Sequence, residues 1–444
     1  MSEKIPVISF LKIYANARRI LKNPLPFHRE NFEKLGDTFL IKVGFGRSSL
    51  LTRDRGLTTH ILQKQQKKYY KSRLQTEDVA KYMGNGILTS NGEYWLKQRR
   101  LIQPAFHKKK LNALIATIEK TIDVELKKTP TNEFVDIYPQ MSNMAFQVVA
   151  KSLFSVSMYS EMSRLQHITE VAQKMLIKEL RQPYKKWWFY FSGQIQKNIE
   201  LTNEARTILN TIIQDRKSSQ ESYDDLLDML LNARYDDGNP MSNKQLIDEI
   251  LILFTAGHET TANALTFTLA LLALHPEIQE KVFQEVKDTE EQQLEALEKL
   301  SALSYTRQCI EEAMRLYPPA YITDRVSIED DEYNGIKLDK GTLVLISFYE
   351  LHRNGDFWES PDKFNPDRFS ADKKKTYSDW YFPFGAGPRM CIGNNFAMYE
   401  MILAISETIR RYKVSTNQSS IEIKPLITLR PDNAQLKFEP RTVK

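Results

Sequence analysis

Between Pro240 and Pro276 lie about 30 residues that are apolar on nearly every face of a helix, and this limits the possible folds most. Such a helix is ~45 Å long at 1.5 Å per residue and has to be enclosed by other chain. The sequence has the material: 444 residues, 41% hydrophobic and 27% charged, enough for a large core. Ser242 and Gln245 read as a capping box that opens the helix, and His275-Pro276 closes it. Midway it carries Ala256-Gly257-His258-Glu259-Thr260-Thr261. A glycine there costs ~1 kcal/mol of helix propensity, and a buried carboxylate costs more. Such penalties point to function. Gly257 removes bulk where a flat ligand could approach, and the Thr260 hydroxyl can bond a carbonyl one turn back. Glu259 can relay protons, whereas His258 reads as a packing residue.

The chain has two cysteines, Cys309 and Cys391, which supply neither a disulfide framework nor a paired zinc spacing and suit a reducing cytosol. Cys391 lies in Phe384-Gly385-Ala386-Gly387-Pro388-Arg389-Met390-Cys391-Ile392-Gly393, a glycine-rich loop that leads into an apolar helical run. A thiol titrates near ~8.5 and loses its proton on binding a metal. A lone thiolate in a tight, aromatic-backed loop is what an axial haem ligand requires. The stretch resembles the haem-binding loop of the cytochromes P450, Phe-x-x-Gly-x-Arg-x-Cys-x-Gly, at Phe384, Gly387, Arg389, Cys391 and Gly393. The helix motif at Ala256–Thr261 is similar to that family's oxygen-activating sequence, Ala/Gly-Gly-x-Asp/Glu-Thr-Thr/Ser.

Two further elements strengthen the resemblance. Glu312 and Arg315 stand three apart on one helical face, and Arg368 follows on an aromatic-flanked turn, like the family's Glu-x-x-Arg element and its partner arginine. Trp95 and Arg99 resemble its Trp-x-x-x-Arg helix, and Arg325 and Arg389 match two more contacts to the haem carboxylates. Lys71 is a weaker candidate. The resemblance implies a mainly α fold with small β-sheets, the cytochrome P450 fold. Haem b would lie between the long central helix and the cysteine loop with its following helix. It implies Cys391 as iron ligand, Trp95, Arg99, Arg325, Arg389, Phe384 and Gly393 as cofactor contacts, and Glu259 and Thr260 as the catalytic pair.

Around these motifs, alternation at Phe39–Val43 and Ser49–Thr52 about Gly44-Phe45-Gly46 reads as a hairpin. Helical periodicity runs from about Leu57 to Leu316, with breaks at Gly84–Gly92, Pro130, Pro183 and Gly238–Pro240. Tyr321–Ser347 is strand-rich, Pro361–Phe382 reads as polar loop, and Asn394–Arg411 as helix. The last 30 residues alternate like a hairpin. No linker divides the chain, so residues 1–444 are expected to form one domain without a fused reductase. Lys4, Lys12, Arg18, Arg19 and Lys22 interrupt the first 30 residues, which predicts neither signal peptide nor membrane anchor. A cytoplasmic monomer is the expectation.

Net charge is +6, and no nucleic-acid motif accompanies the dispersed lysines. The densest basic cluster, Lys97, Arg99, Arg100 and Lys108–Lys110, reads either as a solvated face or as a dock for an acidic electron-transfer protein. The resemblance favours a ferredoxin or flavodoxin with its NAD(P)H-dependent reductase. It implies a monooxygenase that uses O2 to hydroxylate, or oxidatively O-demethylate, a small organic substrate. Polar candidates for the pocket (His167, Arg181, Gln182, Tyr321, Thr323) suggest a methoxylated sugar or similar methyl ether beside fatty acids and terpenoids. Trp187–Phe191 reads as a substrate lid or as packing beneath a helix. The rival classes are a haem-thiolate isomerase or dehydratase, which needs no electrons, and a gas-binding haem protein.

Overall fold

The computed structural model describes residues 5–44, 47–155, 159–219 and 221–441. Its axis is the central helix, Asn243–Leu274. Ser242 caps it by accepting a bond from Gln245 N at 3.3 Å. The capping box is only half built, because the Gln245 side chain accepts from the Tyr235 hydroxyl instead, at 2.9 Å. Pro276 begins the next helix, Pro276–Glu291, so the boundary falls where the sequence put it.

From Leu246 to Ala273 every residue of the central helix is buried except Leu253, Ala256, Gly257, Glu259 and Thr260. Each fully buried leucine or phenylalanine contributes ~2 kcal/mol, so the run easily offsets the cost of Gly257. Phe254 stacks on Phe146 of the helix Tyr138–Phe154 with centroids 5.4 Å apart, and Phe267 stacks on Tyr317 at 4.4 Å. A Cβ at position 257 would meet Val149 at 3.2 Å, so Gly257 serves the close approach of these two helices. His258 is the packing residue expected: its Nδ1 lies 2.6 Å from the Phe254 carbonyl and its ring meets Phe146 edge-on.

A six-stranded sheet flanks the helices in the order Val7–Ile8, Thr38–Gly44, Arg47–Thr52, Leu343–Ser347, Ile322–Ser327, Tyr69–Tyr70. The expected hairpin is present, with Phe39 opposite Leu51 and a register shift between Lys42 and Gly44; Phe45 and Gly46 of its turn lie outside the described residues. The strand-rich segment supplies the pair Ile322–Ser327 and Leu343–Ser347.

Two expectations need correction. The C-terminal residues are not one hairpin. Ile423–Pro425 and Leu429–Pro431 form a small one, while Gln435–Pro440 pairs with Tyr412–Thr416 and Phe134–Asp136. Alternation marks strands but says nothing about which strand pairs with which. Nor is Pro361–Phe382 a plain polar loop. It contains the short helical turns Pro366–Phe369 and Lys374–Tyr377, and Phe369 and Tyr377 pack with Trp358 in an aromatic cluster. Aromatics spaced at neither period escape a periodicity reading. The helix after the cysteine loop, Asn394–Arg411, has the expected bounds.

Candidate functional site

The cysteine loop is shaped by two left-handed glycines, Gly385 at φ 73° and Gly387 at φ 69°. A Cβ on Gly387 would sit 2.0 Å from the Leu62 carbonyl oxygen, so glycine is required there for contact as well as for φ. Cys391 N donates to the Phe384 carbonyl at 2.9 Å and closes the loop. Phe384 itself is half-buried against the main core. Gly393 ends the loop as N-cap of the next helix.

Burial pushes the Cys391 thiol up, while the Gly393 N–H and the Arg99 charge pull the other way. The residue is exposed, yet its thiol is desolvated by surrounding protein. Both hold only if Cys391 faces an enclosed space rather than bulk water. Cys309, by contrast, is buried and its thiol is pushed well up. Among the described residues no three His, Cys, Asp or Glu side chains converge on a point. A metal at Cys391 would therefore bring its other ligands with it, as iron in a porphyrin does.

The enclosed space has a second wall. Leu253, Ala256, Gly257 and Thr260, at i, i+3, i+4 and i+7, form the half-exposed stripe of the otherwise buried central helix. Ile392, beside Cys391, packs in the same apolar cluster as Trp95, Ile252 of the central helix and Ile427. The Thr260 hydroxyl donates to the Ala256 carbonyl at 2.7 Å, the one-turn-back bond the sequence suggested. Glu259 does not meet Thr260: its Oε1 accepts from the Thr428 hydroxyl at 2.8 Å, in the turn of the C-terminal hairpin.

Three cations crowd one edge of this space. Arg389 stacks on the Trp95 ring at 4.0 Å and donates to Ser90 O at 3.1 Å and Asn91 Oδ1 at 3.2 Å. Burial, with Arg325 nearby, pushes it down to about 10, and its buried Nε has no partner. Arg325 is lowered by burial and donates to the Asp324 carbonyl at 2.6 Å. Lys71, which donates to the Leu88 carbonyl, is held well below its usual range by burial and by Arg325 and Arg389. Asp324 acts on both Lys71 and Arg325 but already accepts from Ser72 N and Gln75, and the other acid facing Lys71, Glu249, is itself pushed up to about 7 by burial. Buried cations that depress one another suit an anion that arrives from outside. The two carboxylates of a haem are such an anion, so these residues fit the group.

Arg99 also helps to lower Lys71, but its own bonds go to the cysteine loop. It donates to the Met390 carbonyl at 2.8 Å and to Gln103 at 3.2 Å, and so braces the cysteine loop. Trp95, expected to use its indole N–H, also serves as the platform under Arg389. Lys71, the weaker candidate, is brought together with Arg325 and Arg389. Its lone position in the sequence held no motif that could reveal this.

Beneath the loop, the Glu312 carboxylate accepts from Arg315 Nε at 2.6 Å and Nη2 at 2.8 Å. It also accepts from Arg368 Nε at 3.3 Å and from Asn365 N at 2.9 Å. Arg315 further donates to the His352, Pro361 and Lys363 carbonyls and lies over Trp358 at 5.1 Å. His352 Nε2 accepts from Phe382 N at 2.8 Å, which carries the network to the start of the cysteine loop.

The remaining candidates disperse. His167 is exposed. Arg181 donates to the Pro425 carbonyl, Tyr321 to the Leu426 carbonyl at 2.9 Å, and Thr323 accepts from Arg325 at 3.3 Å. Of the aromatic run only Phe189 is buried; Trp187, Trp188, Tyr190 and Phe191 point outward at 52–78% exposure. Packing beneath a helix is therefore corrected for those four.

A family model for "Cytochrome P450" matches residues 5–438. The chain is 30% identical over 335 residues to cyclooctat-9-en-7-ol 5-monooxygenase of Streptomyces melanosporofaciens, covering 75% of this chain and 73% of that one. It is 28% identical to pentalenene oxygenase of Streptomyces avermitilis, with 81% of each chain covered. To the human ultra-long-chain fatty acid omega-hydroxylase it is 29% identical, over 81% of this chain and 73% of that one. The chain belongs to the cytochrome P450 family of haem-dependent monooxygenases. Among the described residues no helix is long and apolar enough to cross a membrane.

Proposed function

We propose that residues 1–444 act as one cytoplasmic catalytic domain that hydroxylates a predominantly apolar substrate, of terpenoid or fatty-acyl type. What carries this reading is the pairing of the Cys391 loop with the half-exposed stripe around Thr260, beside a cationic cluster short of countercharge. Haem iron, when bound, supplies the activation of dioxygen and its insertion into a C–H bond. The chain's own residues do the rest. Cys391 gives the thiolate, stabilised by the Gly393 N–H and the Arg99 charge. Arg389, Arg325 and Lys71 take the haem carboxylates, with Trp95 holding the Arg389 plane. Glu259 and Thr260 hand protons inward from the central helix.

The apolar preference is supported by the cluster of Tyr82, Met83, Ile87, Leu176 and Ile427, which also takes in Ile252 of the central helix and Ile392 beside Cys391. Of the polar side chains that suggested a methyl ether, His167 is exposed, and Arg181, Tyr321 and Thr323 are already bonded to protein. Both bacterial relatives carry names of terpenoid oxygenases, which supports the same reading.

Electrons would come from a separate ferredoxin or flavodoxin. The exposed Lys97, Arg100 and Lys108–Lys110 border Phe106, whose ring lies 3.8 Å from where a Gly393 Cβ would be. An optical titration of the holoprotein against terpenes, fatty acids and methoxylated sugars tests the substrate class. A low- to high-spin shift with the sugars alone would overturn it. Turnover without NAD(P)H and ferredoxin would favour the isomerase alternative.

A further inference from the structure

We infer that Thr428 is a positioning residue for Glu259 and ties the acid to the wall of the substrate pocket. The inference rests on the proton role proposed for Glu259. The polarity of the contact is fixed by its second partner. Asn263 Nδ2 donates to Thr428 Oγ1 at 3.0 Å, and Oγ1 lies 2.8 Å from Glu259 Oε1. A hydroxyl has one proton and can accept as well as donate. Since the amide N–H fills the accepting role, the hydroxyl proton is left for the carboxylate. Reversing the Asn263 amide would set two acceptor oxygens against that single proton; the observed orientation makes both contacts and leaves the buried Asn263 Oδ1 without a partner.

Asn263 and Glu259 are four apart on one face of the central helix, so the helix grips Thr428 at two points. No other described residue donates a hydrogen bond to Glu259. Tyr138 also faces Glu259. Arg430 lies over the Tyr138 ring at 3.8 Å, and burial pushes Tyr138 up to about 12, with Arg430 opposing and Glu259 adding to the rise.

The bonds of the hairpin turn also join Thr428 to Ile427 as one unit. Leu426 N donates to the Thr428 carbonyl at 2.9 Å, and Leu429 N donates to Pro319 O at 2.9 Å. Tyr321 holds the Leu426 carbonyl and Arg181 holds that of Pro425. The adjacent Ile427 packs with Tyr82, Met83, Ile87 and Leu176. A substrate pressing on Ile427 therefore moves Thr428, and with it the Glu259 carboxylate. Through this contact, occupancy of the apolar pocket sets when the acid can turn from the hairpin toward Thr260.

The test compares Thr428→Val, Thr428→Ser, Glu259→Gln and the Thr428→Val/Glu259→Gln double variant as holoproteins. Each is supplied with a plant-type ferredoxin, its reductase and NADPH, without organic substrate. Peroxide released per NADPH should rise at least twofold in Thr428→Val and in Glu259→Gln, stay at the wild-type level in Thr428→Ser, and rise no further in the double variant. The C–O stretch of the reduced carbonyl adduct, which senses nearby charge, should shift with Val and not with Ser. A wild-type Thr428→Val beside an impaired Glu259→Gln overturns the role of Thr428 alone. A serine that fails to rescue, or effects that add in the double variant, overturn it too. A wild-type Glu259→Gln overturns the proton role beneath it.

Discussion

Replacing Glu312 by glutamine removes one charge from a site with no water to compensate for it. The Glu312 and Arg315 side chains are fully buried, and the carboxylate accepts four N–H groups at 2.6–3.3 Å. Glutamine keeps the volume but turns an amide N–H2 toward guanidinium donors and leaves Arg315 charged and unmatched. Breaking a buried pair in this way costs ~3–5 kcal/mol. Arg368 provides an internal control: its side chain is 13% exposed and its bond to Glu312 is 3.3 Å, so Arg368→Ala should cost ~1–2 kcal/mol. Arg315→Ala should be the most damaging, since it also frees the His352, Pro361 and Lys363 carbonyls below the cysteine loop. Urea unfolding followed by far-ultraviolet circular dichroism and by the Soret band would measure all three, with haem per polypeptide as a second reading. Equal losses for Glu312→Gln and Arg368→Ala, or a Glu312→Gln protein within ~1 kcal/mol of wild type and fully loaded, would refute the reasoning.

Gly387→Ala should destroy the cysteine loop without unfolding the helices, because its Cβ would meet the Leu62 carbonyl at 2.0 Å; a normal Soret band in that variant would contradict this. Thr260→Ala should keep haem but release more peroxide per NADPH, and an unchanged yield would remove Thr260 from proton handling. Glu249 is pushed up by burial from 4.5 to about 7, so the folded protein holds its proton more tightly than the unfolded chain does. The contribution of Glu249 to stability is then greatest below pH ~4.5 and is lost as pH rises through 7, by ~3 kcal/mol at most. Glu249→Gln should remove that fall, so its stability relative to wild type should rise between pH 5 and pH 8. Parallel pH curves for the two proteins would refute it.

What the sequence revealed and what it hid follow from the range of the interactions. The central helix was legible because an unbroken apolar run with Ser242 and Pro276 at its ends is a local signal. Cys391, Glu312 and Arg315 were legible for the same reason: each motif lies within a dozen residues. The contacts that complete the site join distant segments. Lys71 meets Arg325 and Arg389 across about 250 and 320 residues, and Glu259 meets Thr428 across 169. No spacing within either segment encodes that meeting. The outward face of Trp187–Phe191 was equally hidden, because aromatic residues alone look the same whether they are packed or exposed.

The central claim is thiolate ligation by Cys391, and the absorption spectrum of the reduced carbonyl adduct tests it most directly. The account predicts the long-wavelength Soret band of sulfur-ligated haem in the wild type and its loss in Cys391→His. A colourless reconstituted protein, or an adduct with the shorter-wavelength band of nitrogen ligation, would contradict it.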